Sequence, residues 1–292
     1  MIQISYKKLL HLVHCRHVTS SSIRALLNLD PSLTALHRKP AQKLQQLLRI
    51  DPANMPNFLK DYDSIHIESL MKLYESRGIK MITILDREYP PLLKEIHDPP
   101  AVLFAMGNLS LLQKPALAIV GARDADEYAL RALDRILPAL INGEIVIISG
   151  LAKGTDTMAH SRAIAHGGDT IAVIGGGFFH IYPSENKRLA ERIAREHLLL
   201  SEYPPVRRPE KWHFPMRNRI ISGLSWGTLV VQAKERSGSL ITADFALEEG
   251  REVFAFPGPV DSVLSEGTNR LIQQGAKLVA NSTDIMDEMP VF

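Results

Sequence analysis

The sequence predicts an α/β protein built on a doubly wound, mostly parallel sheet and preceded by a small helical segment. Three observations carry this. From residue 117 onward, apolar, β-branched runs alternate with stretches of helical periodicity. The runs are short and apolar on both faces, as strands covered by helices on both sides require. The first 60 or so residues lack such runs and read instead as short helices broken by Pro and Asp.

Taken in order, Leu9, Leu10, Leu12 and Val13 form an apolar stripe on a first helix. Ser20, Ser21 and Ser22 precede the apolar residues from Ile23 to Leu29 as an N-cap signal. Asp30-Pro31 and Asp51-Pro52 punctuate, and 68–77 reads as a helix closed by Gly78. Residues 79–85 are strand-like, and the Pro-rich stretch 88–100 reads as a connection. Strands are then expected at 117–120, 145–148, 170–174, 198–200, 228–231, 253–256 and 277–279. Helices are expected at 128–141, 155–167, 184–196, 239–250 and 266–274. The division follows the change of character: a helical domain over 1–65, a sheet domain over 66–288, and no further domain after it.

A chain of 292 residues with 45% hydrophobic and 23% charged residues has the composition of a globular protein with a sizeable core. Cys15 is the single cysteine, so no internal disulfide can form. The start shows no signal-peptide pattern, and no apolar run approaches the ~20 residues that span a bilayer. The reading is cytoplasmic, with no membrane partner. The net charge of +2 hides an asymmetry: residues 1–50 carry eight Lys or Arg against Asp30 alone, and the rest sums to −5. A second cluster, Arg207, Arg208, Lys211, Arg217 and Arg219, contains one acid, Glu210. Such clusters suit a polyanion, although a solvated helix surface reads the same way.

In a doubly wound sheet, ligands bind beyond the carboxyl ends of the strands, so the polar loops there are the candidates. Gly121 and Arg123 follow the first strand of the parallel run. Gly150, Lys153, Thr155 and Asp156 follow the second, where a Ser/Gly-rich helix start suits anion capture; N-capping by Thr155 or Asp156 is the alternative. His160 reads as a hydrogen-bonded structural residue. After the third strand come three glycines, with Gly177 permitting close backbone approach, then Phe178, Phe179 and Tyr182, which suit base stacking or core packing. Asn186 and Lys187 open the next helix. Arg217, Asn218 and Arg219 stand just before the strand 228–231, and Ser237, Gly238 and Ser239 open the helix after it. Forked guanidinium donors match phosphate; an ion pair with Glu202 or Glu235 is the alternative. His11, His14, Cys15 and His17 have no structural zinc spacing. The G-x-G-x-x-G and phosphate-loop fingerprints are missing, as is G-x-S-x-G.

Taken together, the loop motifs resemble one family, the DprA/Smf DNA-processing proteins of natural transformation. The runs are V-G-A-R at 120–123, S-G-L-A-K-G-T-D at 149–156, G-D-T-I-A-V at 168–173, Y-P-S-E-N at 182–186, S-E-Y-P-P at 201–205, F-P-M-R-N-R at 214–219, S-G-S at 237–239, F-P-G at 256–258 and G-T-N at 267–269. They span about residues 85–280 in sequence order. The resemblance implies an extended Rossmann-like domain with a SAM-like helical N-terminal domain. It implies binding of single-stranded DNA in a positive pocket, loading of the RecA recombinase, protection of incoming DNA, homodimerisation, no catalytic activity and no cofactor or metal. Its pocket arginines fall on Arg123, Arg217 and Arg219, and Lys187 is the nearest counterpart of a family lysine. The chain departs from the pattern at Ala122, Thr155 and Gln232, where Ser or Thr, Ile and Glu are usual. The alternative is a phosphoribohydrolase-like enzyme acting on a nucleotide. The closest stretch to the glycine- and glutamate-containing motif of those enzymes, W-G-T at 226–228, lacks the glycine pair and the glutamate.

Overall fold

Short amphipathic segments interrupted by proline give the first part of the chain its form: helices α1 (Ile2–His14), α2 (Ser20–Leu29), α3 (Ala41–Leu48), α4 (Met55–Ser64) and α5 (Ile67–Ser76). The structure, a computed structural model, describes residues 2–33 and 40–289; Arg38 and Lys39 of the basic segment lie outside them. The cap of α2 is Thr19 rather than the serines after it: its side chain accepts from the Ser22 N–H at 3.1 Å, and the serines form the first turn. These helices bury Leu9, Leu12, Leu26 and Phe58 in one core with Tyr74, Phe104 and Leu199, so they pack directly on one end of the sheet.

The sheet has nine strands. β1 (Ile79–Thr83) pairs antiparallel with β2 (Val102–Gly107), a strand just after the Pro-rich connection that the sequence reading leaves unassigned. Between them, the short helix α6 (Pro91–Glu95) fills the connection. There follow β3 (Ala116–Val120), α7 (Glu127–Asn142), β4 (Val146–Ser149), α8 (Thr155–Ala165), β5 (Thr170–Val173), α9 (Lys187–Glu196) and β6 (Leu198–Ser201). The chain continues through α10 (His213–Gly223), β7 (Gly227–Val230), α11 (Gly238–Glu248), β8 (Glu252–Ala255), α12 (Glu266–Gln273), β9 (Lys277–Leu278) and α13 (Thr283–Met286). The seven strands expected from 117 onward are all present, within a residue or two.

The strand order is β1-β2-β6-β5-β4-β3-β7-β8-β9, antiparallel at β1-β2 and β2-β6 and parallel elsewhere. The chain winds from β3 to β6 in one direction, then crosses to the other side of β3 and winds from β7 to β9. The order therefore reverses between β3 and β7, and the loops after these two strands face a crevice. The strands are buried on both faces. Leu117, Ile119 and Ile147 pack against Leu133 and Leu137 of α7, whereas Ala118, Val120 and Ile148 pack against Ile220 and Ile221 of α10 and Ala243 of α11. Among the described residues, no helix is long and apolar enough to cross a membrane.

The polar segment before β7 is helix α10, which the sequence reading does not separate. Its apolar residues form no single stripe, because Arg217, Arg219, Ile220, Ile221 and Ser222 are all buried. A helix covered on several sides gives no 3.6-residue signature.

Candidate functional site

The switch point between β3 and β7 holds a pocket of about 270 Å³. Val120, Gly121 and Arg123 supply it from the end of β3, and Phe214, Arg217, Asn218 and Ile221 from α10. Ser237, Gly238, Ser239, Ile241 and Thr242 supply it from the start of α11. A smaller cavity shares Arg123, Ala152, Phe214 and Arg217 with it, and adds Gly150, Lys153, Tyr182 and Pro183. The two form one continuous site across the ends of three strands.

Arg217 is its centre and is only 6% exposed. Nη1 donates to the Gly150 carbonyl at 2.5 Å and to the Val173 carbonyl, and Nε donates to Asn218 Oδ1 at 3.2 Å. Burial lowers its pKa to about 10, opposed by the charge of Asp156 and assisted by that of Arg123, so it stays cationic at neutral pH. Asn218 donates to the Gly238 carbonyl at 3.3 Å and ties α10 to the start of α11. Ser237 caps that helix by accepting from the Ser239 N–H at 3.3 Å. Helix starts of this kind favour negative charge. Arg123 is exposed and, among the described residues, pairs with no carboxylate.

Gly150 owes its identity to Arg217. A Cβ there would stand 2.5 Å from the guanidinium. The donors of this loop are turned inward: Asp156 Oδ2 accepts from the N–H groups of Gly150 at 3.1 Å and Ala152 at 3.2 Å. The loop expected to capture an anion thus holds the chain's own carboxylate, and its contribution to the site is to seat Arg217. Burial raises the pKa of Asp156, and Arg217 opposes that shift. Lys153 stands at the rim, 2.7 Å from Glu185. Tyr182, 58% exposed, tilts toward Phe214 with ring centroids 5.5 Å apart.

The structure moves other expected site residues away from this pocket. Arg219 is 4% exposed and ion-paired to Glu202 at 2.7 Å and to Asp98 at 3.4 Å. On a helix, residues two apart lie about 200° apart, so Arg217 and Arg219 leave α10 on opposite sides. The ion-pair alternative with Glu202 describes Arg219. Asn186 is buried and donates to the Leu151 carbonyl at 2.9 Å and to Thr157 Oγ1 at 2.8 Å, so it fastens one loop to another. Lys187 is exposed on α9 beside Glu191 and lines neither cavity; Lys153 is the lysine next to Tyr182 and Pro183. Gly177 admits the carbonyls of Pro204 and Pro205, which a Cβ would meet at 2.2 and 2.3 Å, so its close approach is to the chain itself. Phe179 lies outside both cavities and is 40% exposed, while Phe178 is core.

His160 is fully buried, with Nδ1 2.7 Å from Thr170 Oγ1, in the structural position read from the sequence. His14 bridges the Leu10 carbonyl and Tyr74 Oη, and His11 stacks on Tyr62. Gln232 explains one departure from the family pattern. Its side chain accepts from the Asp126 N–H and donates to Asp126 Oδ1 at 3.0 Å, a donation that a glutamate cannot make. Sequence reasoning did not single out Phe214, Ile241 or Thr242 as lining residues. The last two follow Gly238 at i+3 and i+4, the helical spacing that repeats one face.

The family model described as DNA recombination-mediator protein A matches residues 80–290. The DNA processing protein DprA of Bacillus subtilis is 51% identical over 222 residues, covering 76% of this chain and 75% of that protein. Its counterpart in Streptococcus pneumoniae is 45% identical over 251 residues, covering 86% and 83%. The X-ray structure of DprA from Streptococcus pneumoniae has a TM-score of 0.87 at 41% identity over 98% of both chains, helical segment included. A DNA processing protein A from Helicobacter pylori, solved for its single-stranded DNA binding mode, has a TM-score of 0.64 at 29% identity, covering 72% of this chain and 94% of that one. The chain at hand is therefore a member of the DNA recombination-mediator protein A family.

Proposed function

We propose that the chain binds single-stranded DNA at the β3/β7 switch point and acts on it by binding, without chemistry. The observation that carries this is the pair of guanidinium groups in one pocket, Arg217 held by two carbonyls and Arg123 left open. Arg217 is preorganised, so little side-chain entropy is lost when a phosphate arrives. Arg123 supplies the screened, salt-sensitive part of the attraction. The helix start at Ser237 adds donors and a positive end. Tyr182 and Phe214 at the rim offer ring faces to a base, a contact that every base sequence can make. The related Helicobacter pylori protein, with its single-stranded DNA binding mode, supports the same reading. The family resemblance extends it to a dimer that protects incoming DNA, loads the RecA recombinase, and works in the cytoplasm during transformation.

Fluorescence anisotropy of labelled single- and double-stranded oligonucleotides across a salt series tests this. Preference for single strands, with affinity falling steeply as salt rises, is the expected result. No binding at low salt, together with hydrolysis of a mononucleotide, would replace it with the phosphoribohydrolase-like reading. Recombinase loading is checked by nucleation of RecA filaments on DNA coated with a single-strand-binding protein, with and without the chain.

A further inference from the structure

A second groove, of about 780 Å³, lies between the C-terminal end of α1 and the segment that leads into α10. Arg16, His17, Tyr203, Arg207, Arg208 and Trp212 are among its lining residues. Arg16 is bound by Asp61 through two 2.8 Å contacts, and Arg207 by Glu210 at 2.7 Å. Arg208 is exposed and, among the described residues, pairs with no carboxylate. The groove is therefore a cationic cleft with a free guanidinium. Trp212 is 54% exposed, and its indole is held in place by a 2.9 Å hydrogen bond to Glu210 and edge contacts to Tyr203 and His213. An indole fixed in this way and open to solvent is a stacking surface.

The groove and the pocket adjoin consecutive residues at the start of α10. Trp212 and His213 line the groove, and Phe214 and Pro215, next in sequence, line the pocket. Among the described residues, the exposed large aromatic side chains are Phe179, Tyr182 and Trp212. Tyr182 lines the pocket side and Trp212 the groove side of the first turn of α10.

We propose that the groove between the helical segment and the 203–213 segment is a second subsite for the same single strand, which passes from the Arg217 pocket over the first turn of α10 and stacks a base on Trp212 with a phosphate at Arg208. The proposal rests on the pocket's binding single-stranded DNA, and it gives the helical segment a part in the DNA path. Sequence tolerance follows, since neither contact reads a base edge.

The test compares oligothymidylates of ~5 and ~15 nucleotides, within the range of site sizes common for single-strand binders. Wild type should bind the longer strand more tightly, with quenching of Trp212 fluorescence that the shorter strand does not cause. Trp212→Ala and Arg208→Ala should each cost about tenfold on the longer strand and leave the shorter unaffected, and Trp212→Phe should restore most of the loss. Arg217→Ala should weaken both lengths. Equal affinities of Trp212→Ala and wild type for the longer strand would overturn the groove while leaving the pocket standing. Loss of neither length in Arg217→Ala, or no binding by wild type, would overturn the pocket and the groove together.

Discussion

Arg217 and Arg123 divide the work of a phosphate site between order and reach. Arg217 is held by the carbonyls of Gly150 and Val173 beside the Asp156 carboxylate. Its removal leaves buried acceptors unpaired as well as removing a charge. Arg217→Ala should therefore lose about 10- to 100-fold in affinity for single-stranded DNA and also unfold at lower urea concentration, by about 1–3 kcal/mol. Arg123→Ala should weaken binding, reduce the salt slope by about one, and leave the urea midpoint unchanged, because that side chain is exposed. Equal urea shifts in the two variants would refute this division. Gly150→Ala checks the seat itself. The added methyl group enters the space of the guanidinium, so the variant should fold and yet bind weakly, with every charge of the pocket retained. At this scale the sequence showed which loops carry donors, since strand ends in a doubly wound sheet are accessible wherever they occur. It did not show whether a donor faces a ligand or the chain. Asp156 fills its own loop, and Asn186 serves the loops around it, because both depend on contacts between segments far apart in sequence.

Helix α10 is the element that makes the site, and the one least visible beforehand. It separates two arginines that an extended segment would have kept on one side. Arg217 faces the switch-point pocket, and Arg219 faces Glu202 and Asp98. Arg219→Ala should leave DNA affinity per folded molecule unchanged and cost about 3–5 kcal/mol in urea unfolding, since it strands Glu202 at an almost buried position. A loss of affinity as large as that of Arg217→Ala, with no change in stability, would return Arg219 to the pocket. The parallel strands were legible because each is a short, wholly apolar run between turn residues, a pattern set by burial on both faces. β2 was not, although Val102, Leu103, Phe104 and Ala105 are as buried as any of them. It begins two residues after Pro100, and proline punctuation masks a strand that antiparallel pairing with β1 and β6 then secures.

The whole molecule couples its two parts through a shared core, and a histidine ring in each part is kept neutral. His14, from the helical segment, is half-buried against Tyr74 and Phe104, and desolvation lowers its pKa to about 4. His160, under the sheet, is buried beside Thr170, and its pKa falls to about 3, with the charges of Arg217 and His197 acting in the same direction as burial. A folded-state value below the unfolded 6.5 means that the unfolded chain takes up more protons once the pH drops below about 6.5. The stabilisation from each neutral ring is therefore fully present above that pH and lost as the pH falls toward the folded value. Glu249, raised by burial from 4.5 to about 7, acts with the opposite sign between those values, and Asp156, raised by burial above its ordinary value, acts in the same direction as Glu249, so the wild-type slope is a balance. A difference between variants isolates one histidine from that balance. His160→Gln retains a polar group opposite Thr170 and removes the titration. Between pH 6.5 and 4.5, the unfolding free energy of wild type should fall relative to that of the variant by up to about 1.4 kcal/mol per pH unit. Urea unfolding at half-unit steps measures this, and parallel pH profiles for the two proteins would show that His160 is protonated equally in the folded and unfolded chains.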